Sequence, residues 1–195
     1  MKLFARVLVC LLTLGVALPA SALTIVYVAS LSGPAEAPPN ASPGTGTATI
    51  TFDTTLSTMR VEASFSGLTG NTNAAHIHCC TAVPGVSTAG VATQTPSFTG
   101  FPLGVTAGSM DTTFNMTLAA SYNAAFIAAN GGTPASAFTA LLAGIASGRA
   151  YYNIHSSTFP GGEIRGFLQV PEPAAAALLG LGVAGLALAG RRRAD

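Results

Sequence analysis

The stretch Ala-Ala-His-Ile-His-Cys-Cys, residues 74–80, concentrates most of the chain's metal-binding and redox chemistry. The 195-residue sequence has three histidines and three cysteines, and two of each fall here. His76 and His78 are two residues apart, so on an extended chain both imidazoles leave one face while Ile77 leaves the other. Such a pair offers two ring nitrogens to a single ion, and His155 would complete a copper or zinc site with water in an open position. A structural reading of the same rings stands beside it: imidazoles hydrogen-bonded to loop carbonyls, or to one another, at the edge of a core. A superoxide-dismutase-type copper site takes four histidines, one more than the chain holds, which argues against that activity.

Cys79 and Cys80 raise a separate question. Consecutive Cα atoms across a trans peptide lie about 3.8 Å apart, below the roughly 4.4 Å at which the usual disulfide range begins. A bridge between them would bend the chain sharply after His78. The alternatives are a disulfide to a second molecule, or thiolates joining a metal site. On the last strand Glu163 and Arg165 share one face, as a salt bridge or a loop tie, with Glu163 also a candidate partner behind His155. The sequence offers no nucleophile–base pair, phosphate loop, dinucleotide fingerprint or paired-carboxylate motif, so it reads more as a binding module than as an enzyme.

The elements that must position these residues are mostly strands. Leu23–Leu31 is rich in β-branched and aromatic residues, Ser32–Gly46 is broken by proline and glycine, and "TATITF" resumes as strand. Met59, Val61, Ala63 and Phe65 alternate with Arg60, Glu62, Ser64 and Ser66, which predicts one buried and one wet face. Residues 81–108 read as a long loop. Ser109–Leu118 alternates again, with Phe114, Met116 and Leu118 on one side. Two short helices are expected next, one capped by Ser121, the other by Thr133 before Pro134 with Gly148 past its end. "RAYYNI" and "GEIRGFLQV" close the body as strands. The pattern predicts an all-β, antiparallel sandwich of immunoglobulin-like, Greek-key type with one or two short helices.

The two ends carry topogenic signals. Lys2 and Arg6 precede an apolar run, Pro19 breaks it, and Ala20-Ser21-Ala22 suits signal-peptidase cleavage, so residues 1–22 read as a signal peptide. The body then spans 23–169. In the tail, 170–195, Pro171-Glu172-Pro173 precedes an apolar segment over 174–190, just long enough for a transmembrane helix. Arg191, Arg192 and Arg193 would hold its far end on the cytoplasmic side. Five of the eight basic residues lie in these two segments. The body keeps three arginines against five acids, which excludes the electrostatic footprint of a nucleic-acid binder.

This tail resembles a PEP-CTERM sorting signal. The resemblance implies a Gram-negative bacterium, an exosortase-type processing enzyme acting after signal peptidase, a transient inner-membrane stage with the body outside the cytoplasm, and a polysaccharide-rich matrix. The body, through "LSGPAEAPPNASPGTGTATITFD", "FSGLTGNTNAAHIH" and "LLAGIASGRAYYNIHSSTFPGGEIRG", resembles the CHRD domain. That resemblance implies an extracellular β-sandwich without a defined activity. The family form follows the second histidine with Gly-Pro-Ala, where this chain has Cys79-Cys80-Thr81. Together these imply a secreted surface or matrix protein that binds extracellular polysaccharide or another matrix protein. The alternative is a metal-binding protein or metal-dependent enzyme built on His76, His78 and His155.

Overall fold

The computed structural model describes residues 23–172. Residues 1–22, read from the sequence as a signal peptide, and residues 173–195, with Pro173, the expected transmembrane segment and the three terminal arginines, lie outside the described residues. Seven antiparallel strands carry the domain: β1 (Thr24–Ser32), β2 (Thr45–Asp53), β3 (Thr58–Ser66), β4 (Thr72–Cys79), β5 (Gly108–Asn115), β6 (Ala150–Ser156) and β7 (Ile164–Phe167). They bond side by side in the order β4-β6-β7-β1-β2-β3-β5. The alternation in β3 is realised: Met59, Val61, Ala63 and Phe65 are buried, and Arg60 reaches from the wet face to Asp111 of β5.

The strand pattern suggests two packed sheets of immunoglobulin type. Hydrogen bonding instead joins all seven strands into one sheet, and curling supplies the packing. Tyr152 of β6 donates to the Met110 sulfur of β5 at 3.5 Å, although five positions in the strand order separate their strands. Phe98, from the loop after β4, packs on Phe114 at 5.1 Å and on Tyr152 at 6.0 Å between ring centres. A single core fills the curl, with Ile50, Phe52, Met59, Ile77, Tyr152 and Ile154 all but inaccessible. Gly166 of β7 is required by this closeness, because a Cβ there would collide with the Ser30 carbonyl of β1.

Two helices lie between β5 and β6: α1 (Ala124–Ala129) and α2 (Pro134–Ala146). Thr133 and Ser136 form a reciprocal capping box at the start of α2, and Gly148 sits just past its end with φ +68°. Its buried residues Ala137, Leu141, Gly144 and Ile145 make a single stripe against the sheet. Two local expectations fail. Asn123 rather than Ser121 caps α1, because its side chain can reach the Ala125 N–H, while Ser121 is spent on the Asn115 carbonyl. Leu118 leaves the alternation and is exposed, since β5 ends at Asn115 and a turn follows. Among the described residues no helix is long and apolar enough to cross a membrane.

Candidate metal centre

Strands β4, β6 and β7 lie side by side, and their registers build the site. His76 pairs with Asn153, which pairs with Arg165; His78 pairs with Tyr151, which pairs with Phe167. His155 stands opposite Ala74, two residues along β6 from Asn153. The period of two therefore places three histidines, a tyrosine, an asparagine and an arginine on one face. Ala75, Ile77, Tyr152 and Ile154 occupy the core face behind them. Loops cover the polar face, so His76, His78, Asn153 and Arg165 are buried and His155 is partly so.

Each ring is anchored through one nitrogen. His76 Nε2 donates to the Pro96 carbonyl at 2.7 Å, His78 Nδ1 to Ala89 at 2.9 Å, and His155 Nδ1 to Pro160 at 3.0 Å. A carbonyl oxygen only accepts, so these nitrogens carry the protons and fix the neutral tautomers. The lone pairs are then on His76 Nδ1, His78 Nε2 and His155 Nε2. These three atoms are buried and have no hydrogen-bond partner. The three histidines each bring one potential ligand nitrogen to within 4.8 Å of the others. Their rings are mutually adjacent, with centres 5.2–5.7 Å apart.

The surroundings keep the imidazoles unprotonated. Burial lowers all three, and His78 is pushed down to about 4, with the charges of His155, His76 and Arg165 adding to burial. Tyr151 stacks flat on His78, 4.9 Å between centres and 5° between planes, and the Arg165 guanidinium lies 4.7 Å from the tyrosine ring centre. Arg165 donates to the Ala35 and Ser87 carbonyls. Its carboxylate is Glu36, at 3.8 Å, and not Glu163. Glu163 turns away to bond Ser42, Thr69 and Gly70, so it neither pairs with Arg165 nor backs His155. Burial raises Glu36 to about 7, against the opposing effects of its Asn153 hydrogen bond and Arg165.

The cysteines point the other way. Cys79 continues the core-facing positions of Ile77 and Ala75, and the sulfurs of Cys79 and Cys80 are joined to each other. Both lie against the backbone of Gly144 in α2. They therefore sit on the opposite side of β4 from the imidazoles and belong to the core. Sequence reasoning found the three histidines but missed Glu36, Tyr151 and Asn153. The signal was available for two of these, since Tyr151 and Asn153 share the parity of His155 on one strand. Pro171 and Glu172 lie at the end of the described chain, outside any strand.

A single curled antiparallel sheet with a sealed histidine face thus defines the class: an all-β domain carrying a potential metal-binding cluster. The chain belongs to the CHRD family, whose domain model matches residues 27–168, and a PEP-CTERM protein-sorting motif follows over residues 169–193. No curated protein and no solved structure matches the chain. The sorting motif marks an exported protein, processed by an exosortase-type enzyme and sorted by way of the membrane to the cell surface.

Proposed function

We propose that this exported protein holds one transition-metal ion, copper or zinc, through His76 Nδ1, His78 Nε2 and His155 Nε2. The observation that carries the reading is the convergence of three buried, unpartnered lone pairs. An unsatisfied buried polar group costs roughly 1–3 kcal/mol, and a purely structural cluster would turn at least one N–H inward to relieve that cost. Here every N–H is committed to an outer carbonyl, the arrangement by which proteins orient metal-binding imidazoles. Ligands on one ion at about 2.0–2.1 Å lie about 3.3–3.5 Å from each other, so binding draws the rings inward by about an ångström.

The signal peptide and tail would deliver the domain through a Gram-negative inner membrane, with the apolar segment holding it there until cleavage at Pro-Glu-Pro. A matrix-binding role finds support on a separate face, where Thr45, Thr47, Ser64 and Ser66 line a hydroxyl-rich depression. Pull-down of extracellular polysaccharide, compared between the native domain and a Thr47→Val/Ser64→Val variant, tests that second role.

The metal reading is tested by purifying the domain after exposure to copper and zinc, then measuring bound metal per chain. One equivalent is expected, falling below a tenth in His76→Ala/His155→Ala. Retention of metal by that variant, or none in the native domain, would overturn it.

A further inference from the structure

Resting on the three-histidine reading, we infer that the resident ion is monovalent copper in a three-coordinate, all-nitrogen site, not zinc. Three observations converge on this choice. The first is ligand number. Among the described residues the cluster consists of three histidines, with no cysteine, aspartate or glutamate among them. Zinc in proteins is almost always four-coordinate and takes water where the chain supplies three ligands. The three lone-pair nitrogens are sealed from solvent, so a water ligand would have to be enclosed with the ion. The hydroxyl of Tyr151, whose ring stacks on His78, is already engaged with the Ala89 backbone. Monovalent copper has a filled d shell and is satisfied by three ligands in a plane.

The second observation is charge. The three ligands are neutral, and the buried Arg165, seated on the Tyr151 ring that stacks on His78, faces Glu36. Glu36 also accepts from Asn153 at 2.5 Å and is not among the residues whose ligand atoms converge. A dication would lie among neutral rings with no anion bound to it. The cost of desolvating an ion grows with the square of its charge, so a monocation faces about a quarter of that penalty.

Geometry supplies the third. Divalent copper favours a tetragonal set with four ligands near one plane. Three rings anchored to Pro96, Ala89 and Pro160 bring three nitrogens together, and among the described residues no fourth ligand side chain joins them. The sulfurs of Cys79 and Cys80, which would compete for monovalent copper, are paired with each other on the far side of β4.

The test uses the secreted domain with its disulfide intact. Copper is supplied anaerobically as Cu(I) with ascorbate and a colorimetric chelator, and zinc is titrated separately against a zinc indicator. One equivalent of copper should leave the chelator, zinc should bind at least tenfold more weakly, and His155→Gln should lower copper affinity at least a hundredfold. The X-ray absorption edge of the native copper-loaded protein needs no variant, and should show three-coordinate Cu(I) with nitrogen neighbours alone. Zinc bound in preference, with copper weak, would overturn this inference while leaving the three-histidine site standing. Sulfur neighbours around the copper would also overturn it. Failure of both metals to bind would overturn the site itself.

Discussion

Gly144→Ala in α2 opposes two known effects, and the structure says which should win. In an ordinary helix the change is favourable, because alanine exceeds glycine by about 0.8–1.0 kcal/mol in helix propensity. Here a Cβ on residue 144 would approach both the Cys79 and Cys80 sulfurs closer than the 3.0 Å that side-chain carbons tolerate. The two sulfurs are joined, and Cys79 is only 6% exposed, so neither can swing away without moving β4 or lifting the helix. Overpacking of this kind costs about 1–3 kcal/mol. The net expectation is a loss of up to about 2 kcal/mol, read as a lower midpoint in urea at unchanged slope. The same substitution in a Cys79→Ala/Cys80→Ala background should stabilise by up to about 1 kcal/mol, because only propensity remains. The cycle isolates the contact. A stabilising Gly144→Ala in the native background would refute the packing, and the cysteines would then be free to serve the histidine face.

Acid should unfold the metal-free domain early. The folded His78 is held near 4 against an ordinary 6.5, so its contribution is complete above pH 6.5 and is lost as pH falls through about 4. That loss amounts to about 3 kcal/mol, with His76 and His155 acting in the same direction; urea midpoints that stay level between pH 7 and 4 would contradict it. Glu36 works oppositely: its folded value is raised from 4.5 to about 7, so stability falls as pH rises through that window, and Glu36→Gln should gain at pH 8 relative to pH 5 by thermal melting. Phe65→Ala, removing a buried ring stacked on Phe101, should cost about 3–5 kcal/mol in equilibrium unfolding, whereas Arg60→Ala on the wet face should cost far less. Glu172→Ala should leave precursor in the inner membrane, and unchanged release with unchanged mature mass would refute processing at that site.

The strands and their buried faces were legible because alternation is a local property: β3 can be read from nine residues. The capping of α2 was equally local, since Thr133, Pro134 and Gly148 each act within a turn. The single curled sheet was not legible. It depends on Tyr152 meeting Met110, and on Gly166 admitting the Ser30 carbonyl, and both are contacts between segments far apart in sequence. The cluster shows the same division. His76 and His78 announce themselves by spacing, whereas the sequence pattern ends the strand at Ile154 and leaves His155 to the following loop; the structure carries β6 on through His155 to Ser156. What anchors the rings is backbone, the carbonyls of Pro96, Ala89 and Pro160, and a carbonyl carries no sequence signature. Arg165 and Glu163 divide in the same way: Glu163, just outside β7, ties loops through Ser42, Thr69 and Gly70, and only the fold brings Glu36 across to Arg165 from the turn after β1.

The proposed function rests on three buried lone pairs that converge where an ion would sit. Anomalous X-ray diffraction tests it most directly, using crystals of the secreted domain loaded with copper or zinc and data collected on both sides of that metal's absorption edge. One strong anomalous peak is expected, about 2.0–2.2 Å from His76 Nδ1, His78 Nε2 and His155 Nε2, with the carbonyl anchors of all three rings retained. No peak between the rings, or a ring turned so that an N–H points inward to a neighbouring imidazole, would contradict it.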